Sequence, residues 1–349
     1  MAGGTGGHVY PALAVAEQLQ DRGINVVWMG TRRGLEHRVV SDTNIELSLI
    51  DIKGLRGTGW KRKLQMPFLL LQAMWQSFCV MREKKPDAVL GMGGFVTGPG
   101  GVVAWLMRLP LLIHEANAVF GFTNRILARI ATRVMTGFRN TEPLIERAIY
   151  VGNPLRKEFL QAVDEASGQT HQGANLLVVG GSQGALSFNE TVPPAVKLLS
   201  AYDLRIWHQC GRGRQHDTLD NYAAAGIDAR VSEFIDNMNA AYRWSDFVIC
   251  RAGAMTVAEL QAVARASIFV PYPYAAGDHQ TRNAEQLVAA EAALMIRHEQ
   301  LTPDYLADRL RDLLENPQRV KNMACRMASL STVDATQKVT DICLEVLHA

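Results

Sequence analysis

Short apolar runs alternate along this chain with longer stretches in which apolar and polar residues repeat at helical spacing. The apolar runs predict β-strands at residues 25–29, 88–91, 111–114, 133–135, 176–179, 205–208, 247–249 and 267–270. Amphipathic helices are predicted between them, for example at residues 11–22, 185–200 and 255–265. Because strands without polar alternation are buried on both faces, the pattern indicates parallel sheets covered by helices, which is an α/β fold.

Each half of the chain opens with a glycine-rich turn that leads into a helix, at residues 3–8 and 180–184. The repetition predicts two doubly wound, Rossmann-like domains that face a central cleft. We place an N-terminal domain at residues 1–153, a C-terminal domain at 154–330, and at 331–349 a last helix that packs back on the N-terminal domain. Only Met1 and Ala2 precede the first turn, so the first N-terminal strand is missing, and we expect the natural protein to start upstream.

The composition agrees with a protein of two globular domains. A chain of 349 residues is longer than a single core usually serves. Hydrophobic residues make up 48% and charged residues 20%, and the net charge of +2 is too small to indicate nucleic-acid binding. The five cysteines form no CxxC pair, which favours reduced thiols over a zinc site or a disulfide framework. We expect no signal peptide and no transmembrane helix.

The first turn, residues 3–8, places four glycines next to His8. Clustered glycines allow backbone N–H groups to approach an anion, and the start of the following helix adds positive potential. A helix start also disfavours imidazolium, so His8 is a candidate general base. The alternatives are a turn without a ligand and a histidine that only hydrogen-bonds the backbone. The spacing does not match the dinucleotide fingerprint GxGxxG, which argues against a dehydrogenase.

The second glycine-rich loop, residues 91–101, follows a predicted strand and precedes a predicted helix. By the same reasoning it is a candidate site for an acceptor pyrophosphate. The glycines assigned to that site are Gly93, Gly94, Gly98, Gly100 and Gly101. The competing interpretation is a crowded crossing of helix and sheet that admits only glycine.

Polar residues follow several predicted strands, where α/β folds bind ligands. Glu115 and Asn117 close one such strand and suit a base or a contact to a sugar hydroxyl, unless Glu115 only caps a helix. Thr256 and Glu259 have the spacing of a capping box, and the alternative is that Glu259 accepts both ribose hydroxyls of a nucleotide. Residues 278–283 form a polar loop that suits sugar hydroxyls.

Basic and apolar residues are mixed between residues 56 and 85, with Trp60, Trp75 and Phe78 among them. Basic side chains beside exposed aromatic ones bind anionic bilayers, each basic residue contributing roughly 1 kcal/mol. Residues 60–78 are therefore predicted to contact an anionic membrane surface. The alternative is a core helix with solvated lysines.

In order and spacing these motifs resemble those of the MurG family of glycosyltransferases. The resemblance runs from Gly3 to at least Leu287 and rests on GGTGGH, GMGGFVTGPGG, HEAN, VGNPLR, GGSQGA, EFIDNM, the run at 251–259, and DHQTRN. It implies a GT-B fold with a C-terminal domain that binds UDP-N-acetylglucosamine and an N-terminal domain that receives the lipid-linked acceptor, lipid I. It also implies a peripheral enzyme of peptidoglycan synthesis on the cytoplasmic face of the bacterial inner membrane, with cell-wall or division proteins as further partners.

The resemblance implies roles for individual residues, carried over by position. Thr5, Gly6 and Gly7 match the loop for sugar and phosphate. Ile235 matches a position near uracil, and Glu259 matches one on the ribose. The other matching donor-binding positions are Asn117, Arg156, Ser182, Ala254, Met255, Thr256, Val257, Ala258 and Gln280.

The implied reaction is an inverting transfer, in which the C4 hydroxyl of the muramyl sugar attacks C1 of N-acetylglucosamine and UDP leaves. It requires a base, and it requires stabilisation of the departing diphosphate, for which Arg156 and the helix start at Ser182 are suited. His8 is the predicted base and Glu115 the second candidate. No acidic DxD cluster is present, so we expect neither a metal nor a cofactor. The alternative functions are a UDP-N-acetylglucosamine epimerase or hydrolase and a non-catalytic nucleotide-sugar-binding subunit.

Overall fold

The computed structural model describes residues 1–32, 34–52, 60–160, 173–181 and 184–348, with the backbone alone for residues 60–65. The chain forms two compact units. The first unit comprises Met1–Arg156 together with Thr332–Ala349, and the second comprises Lys157–Ser331. The division between Arg156 and Lys157 lies close to the boundary predicted after residue 153.

The first unit alternates helices with short parallel strands. Its elements, in chain order, are α1 (Gly6–Asp21), β1 (Val27–Gly30), α2 (Leu35–Ser41), β2 (Glu46–Leu49), α3 (Trp60–Lys84), β3 (Val89–Gly91), α4 (Thr97–Leu106), β4 (Leu111–Glu115), α5 (Phe122–Leu127), β5 (Arg133–Thr136) and β6 (Ala148–Tyr150). Strands β1 and β2 form a two-stranded sheet, and β3, β4, β5 and β6 form a four-stranded sheet in that order. All these pairs are parallel, which confirms the α/β prediction.

Within the described residues no strand precedes α1, as the sequence predicts. The backbone of Met1 and Ala2 lies between the two sheets of the first unit. The Met92 N–H donates to the Met1 carbonyl at 2.9 Å, and the Trp28 indole N–H donates to the Ala2 carbonyl at 3.1 Å. These bonds fix the entrance to the first glycine-rich turn against both β1 and the end of β3.

The second unit is built on one larger parallel sheet. Its elements are α6 (Lys157–Leu160), β7 (Ala174–Val179), α7 (Leu186–Lys197), β8 (Leu204–Gln209), α8 (Gln215–Ala225), β9 (Arg230–Ser232), α9 (Met238–Trp244), β10 (Phe247–Cys250), α10 (Ala254–Ala262), β11 (Ala266–Phe269), α11 (His279–Ala289), β12 (Ala293–Met295), α12 (Pro303–Glu315) and α13 (Pro317–Ser329). The sheet order is β12-β11-β10-β7-β8-β9. The order reverses next to β7, which is where doubly wound sheets bind ligands.

The last helix, α14 (Ala335–Leu347), belongs to the first unit and packs against α1. Val339, Ile342 and Cys343 share a buried core with Val9 and Val15. Polar contacts join the same two helices, because Gln18 receives a hydrogen bond from Thr340 and donates one to Gln337. The first unit is thus closed by a segment distant in sequence.

The apolar runs predict the central strands correctly, and each predicted strand overlaps an observed one. The strands that the pattern misses are β2, β6, β9 and β12. Each has only three or four residues and only partial burial, so it carries a weak apolar signal. Among the helices of the described residues, none is long and apolar enough to cross a membrane.

A buried histidine makes the stability of the second unit depend on pH. His208 on β8 lies in the core, and its Nδ1 shares a hydrogen bond of 2.9 Å with the Tyr222 hydroxyl. Burial lowers the pKa of His208 to about 3 from 6.5. In the unfolded chain His208 therefore binds a proton below pH 6.5, whereas in the folded chain it stays neutral down to about pH 3. The contribution of neutral His208 to stability is fully present above pH 6.5 and is lost as the pH falls below it.

We expect the free energy of unfolding to fall by about 1.4 kcal/mol per pH unit from this residue alone. The matched control is the double variant H208F/Y222F, which removes both partners and leaves no buried polar group unpaired. Urea titrations at pH 6.5 and pH 5 should show wild type losing about 2 kcal/mol more than the control. Equal losses in the two proteins would contradict the assignment.

Candidate functional site

The first glycine-rich turn leads into α1 through Thr5, which is extended and precedes the first helical residue, Gly6. The first N–H groups of a helix lack intrahelical acceptors, so those of Gly6 and Gly7 face out of the helix start. The N-terminal end of α1 also carries positive potential. No acidic residue lies in its first turn to occupy that potential. This helix start therefore suits an anion or a sugar oxygen.

The two glycine-rich loops of the first unit meet each other directly. Gly93 and Gly94 have φ of +99° and +86°, a region that favours glycine. A Cβ on Gly94 would run into the Gly3 carbonyl, and a Cβ on Gly93 would lie 2.5 Å from Cδ2 and 2.9 Å from Nε2 of His8. The His8 ring consequently rests on Gly93, so the predicted base and part of the predicted pyrophosphate loop form one surface.

The remaining glycines of the second loop have a different role. Gly100 and Gly101 are buried within α4, and the Gly100 N–H donates to the Val96 carbonyl at 3.2 Å. A Cβ on Gly101 would lie 2.7 Å from Leu127 of α5. Both glycines serve close packing, so the anion role predicted for them does not fit. Gly98 lies in the first turn of α4 and is only half buried.

His114 and Glu115 end β4 as buried residues. The His114 Nε2–H donates to the Gly152 carbonyl at 2.9 Å, because a carbonyl can only accept. Burial lowers the pKa of His114, and the nearby His8 lowers it further against the opposing effects of Gly152 and Glu115. His114 is therefore neutral at physiological pH.

The Glu115 carboxylate accepts four hydrogen bonds from the loop that follows it. Oε1 accepts from the backbone and the side-chain amide of Asn117, at 3.0 and 3.2 Å. Oε2 accepts from the Gly121 N–H and the Asn124 side chain, both at 3.0 Å. The carboxylate thus holds the loop and orients Asn117. These contacts fit a residue that positions others better than they fit a general base.

Arg156 lies in the first unit, although the predicted boundary assigned it to the C-terminal domain. Its guanidinium carbon is 4.7 Å from the centre of the Tyr10 ring. Tyr10 in turn covers Gly6, since a Cβ there would lie 3.1 Å from Tyr10 Cε2. A positive charge is therefore placed beside the start of α1.

In the second unit the predicted residues gather at the carboxyl edge of the six-stranded sheet. The turn after β7 contains Gly181 and Gly184, with φ of +86° and +72°, while Ser182 lies outside the described residues. Ile235 follows β9 and is buried. Gln280 is the second residue of α11, and its Oε1 accepts from the Tyr272 N–H at 2.9 Å. The topology thus brings loops from distant parts of the sequence to one edge.

The capping-box alternative for Thr256 and Glu259 is wrong. Helix α10 already begins at Ala254 with Gly253 before it, so Thr256 lies inside the helix. Glu259 is half buried, and its Oε2 accepts a hydrogen bond of 3.3 Å from the Tyr242 hydroxyl. Of the segment predicted to bind the nucleotide, Ala254, Val257 and Ala258 point into the core, and Met255, Thr256 and Glu259 remain accessible.

Arg251 is a residue that the sequence reasoning did not assign. It follows β10 and donates to the Val270 carbonyl and to Ser187 Oγ, each at 3.0 Å. Burial lowers the pKa of its guanidinium, which nevertheless stays charged at neutral pH. Within the described part of the chain no carboxylate pairs with it. Its position directly after a buried strand is the feature of the sequence that could have identified it as a candidate site residue.

Two parallel-sheet units, each with a glycine-rich turn before a helix, define a fold of the GT-B class. The family model described as glycosyltransferase family 28 N-terminal domain matches residues 1–136, and the one described as glycosyltransferase family 28 C-terminal domain matches residues 175–339. The chain belongs to glycosyltransferase family 28, in the group of the MurG transferases.

Similar proteins cover the chain from end to end. A protein of Nitrosococcus oceani is 48% identical over 349 residues, which are 99% of this chain and 97% of the relative. One of Alkalilimnicola ehrlichii is 49% identical over 350 residues, with the same coverage. Both are named UDP-N-acetylglucosamine--N-acetylmuramyl-(pentapeptide) pyrophosphoryl-undecaprenol N-acetylglucosamine transferase. The crystal structure of Acinetobacter baumannii MurG matches with a TM-score of 0.83 and 41% identity, covering 99% of this chain and 98% of that one.

Proposed function

We propose that this chain transfers N-acetylglucosamine from UDP-N-acetylglucosamine to the C4 hydroxyl of the muramyl sugar in undecaprenyl-pyrophosphoryl-MurNAc-pentapeptide, lipid I. The product is lipid II, a precursor of peptidoglycan. The observation that carries the proposal is the His8 ring resting on Gly93 in a unit that matches the family's N-terminal domain. The name of the 48% identical relative, which states this transfer, supports it.

His8 is the base in this proposal. It takes the proton of the C4 hydroxyl while the hydroxyl oxygen bonds to C1 of the donor sugar. The bond between C1 and the diphosphate oxygen breaks, UDP leaves with the electron pair, and the configuration at C1 inverts. Glu115 acts by holding Asn117, because its oxygens are already occupied by four hydrogen bonds. Gly93, Gly94 and Gly98 receive the acceptor pyrophosphate.

In this proposal the second unit binds the UDP part of the donor. In the second unit Glu259 binds the ribose, Ile235 lies by the uracil, and Gln280 contacts the sugar. Arg251, which forms no ion pair with a carboxylate among the described residues, adds a positive charge for the diphosphate after β10. Further donor contacts are assigned to Thr5, Gly6, Gly7, Asn117, Arg156, Ser182 and the accessible part of 254–259.

The test is release of UDP from UDP-N-acetylglucosamine, measured with and without a lipid I analogue. Release that depends on the analogue supports the transferase. Release without it supports the epimerase or hydrolase, and UDP binding without any release supports a non-catalytic subunit.

We also infer that the first unit contacts the cytoplasmic face of the bacterial inner membrane as a peripheral protein. On α3 the side chains of Phe68, Leu70, Leu71 and Trp75 are exposed, with Phe68 at 75% and Trp75 at 66%. The neighbouring α4 exposes Trp105 and Leu106. Exposed apolar side chains on two adjacent helices, with Arg82 and Lys84 in the last turn of α3, suit binding to an anionic bilayer.

The double variant F68S/W75S should bind phosphatidylglycerol vesicles at least about tenfold more weakly, since burial of each aromatic side chain stabilises by about 1.5–3 kcal/mol. Co-sedimentation measures the bound fraction. Leu198→Ser is the matched control, because Leu198 is 49% exposed and belongs to the second unit. Unchanged binding of the double variant would place the membrane contact elsewhere.

A further inference from the structure

An acidic side chain that no motif contains lies under the first glycine-rich turn. Glu36 is in the first turn of α2 and is completely buried. Its Oε2 accepts from the Gly4 N–H at 3.0 Å. Its Oε1 accepts from the Thr31 N–H at 3.0 Å and from the Thr31 hydroxyl at 2.7 Å. The carboxylate thus ties the turn to the segment that follows β1.

Three glycines from separate segments enclose this side chain. A Cβ on Gly3 would lie 2.7 Å from Glu36 Oε1, and one on Gly30 would lie 2.8 Å from Glu36 Cγ. A Cβ on Gly34 would collide with the carboxylate itself. The carboxylate therefore has a single position, and it acts on a residue, Gly4, whose φ of +96° only glycine adopts readily.

The path from Glu36 to the proposed base is short. Gly4 precedes Thr5, the N-cap residue just before α1, and the His8 N–H donates to the Thr5 carbonyl at 3.0 Å. Any shift of Gly4 therefore moves the start of α1 and the imidazole that rests on Gly93. Because the Gly4 N–H donates to the Glu36 carboxylate, it is not available as a donor to a ligand phosphate.

We propose that Glu36 is a positioning residue for the transfer: its internal carboxylate fixes the first glycine-rich turn and holds His8 over the acceptor loop. The inference rests on the proposed function of His8. It deepens that function by assigning the orientation of the base to an acid on a different element. A displacement of about 1 Å in a reacting group lowers turnover by up to about 100-fold, so the effect is measurable.

Glu36→Gln is the decisive variant. It keeps the shape, but its NH2 group must face either the Gly4 N–H or the Thr31 N–H, and that donor loses its acceptor. We expect kcat with the lipid I analogue to fall about 10- to 100-fold, while the affinity for UDP, whose ribose and uracil contacts are assigned to the second unit, stays within about twofold of wild type. Glu46→Gln, whose side chain is 54% exposed in the same unit, is the control and should leave both constants unchanged.

Hydrogen exchange supplies a readout that does not require activity. In E36Q the amides of residues 3–10 should exchange faster than in wild type, whereas those of the second unit should not change. Thr31→Val, which replaces the hydroxyl with a methyl group, should give a smaller change of the same kind. It serves as the test if E36Q does not fold.

The proposal is overturned if a folded E36Q has the kcat and the exchange rates of wild type. It is also overturned if E36Q loses kcat and UDP affinity to the same extent. Absence of acceptor-dependent release by wild type would instead overturn the proposed function, and the exchange data would still decide the role of Glu36.

Discussion

His8→Ala should lower the acceptor-dependent release of UDP by roughly 10²–10⁴-fold, the range that a positioned general base contributes. The loss should appear in kcat, because the substitution removes the proton acceptor and leaves the second unit intact. UDP affinity, measured by calorimetry, should stay near the wild-type value.

Glu115→Gln is the informative comparison for His8→Ala. A glutamine in place of Glu115 retains one acceptor oxygen for the loop, so some hydrogen bonds to residues 117–124 persist. We expect a lower melting temperature together with a moderate loss of rate. If a stable E115Q loses all turnover while H8A keeps it, the base is Glu115 and the proposed assignment is wrong.

Glu259→Gln should weaken UDP binding about 10- to 100-fold, because hydrogen bonds to a charged acceptor contribute about 1.5–3 kcal/mol. Calorimetry with UDP and with 2′-deoxy-UDP makes the test specific to the ribose. Wild type should prefer UDP, and E259Q should lose most of that preference. The variant Y242F removes the hydroxyl that donates to Glu259 and should have a much smaller effect. An unchanged preference in E259Q would exclude the ribose contact.

The apolar pattern of the sequence is sufficient to predict the class of fold, because strands such as β7 and β10 are buried over nearly their whole length. The short strands escape prediction since partial burial leaves no clear pattern. The start of α10 shows a second limit. Thr256 and Glu259 have the spacing of a capping box, yet the helix begins earlier because Gly253 can already serve as the residue before its first turn.

The sequence predicts a candidate site residue when its role depends on the local backbone of a motif. It does not predict the role when that role depends on which residues pack against it in the folded chain. Gly93 and Gly101 belong to one motif, but one faces His8 and the other faces Leu127. Nothing in the order of residues distinguishes these environments. The role of Glu36 is equally hidden, because its partner Gly4 is 32 positions away and meets it only after the chain has folded.

The packing of α14 against α1 has a consequence for synthesis on the ribosome. The core that contains Val9 and Val15 also needs Val339 and Ile342, which are translated after the whole of the second unit. The second unit is therefore synthesised in full before α14, the helix that closes the first unit. Nascent chains should therefore acquire protease resistance first in the second unit, whereas the first unit keeps part of its apolar surface uncovered until α14 is made.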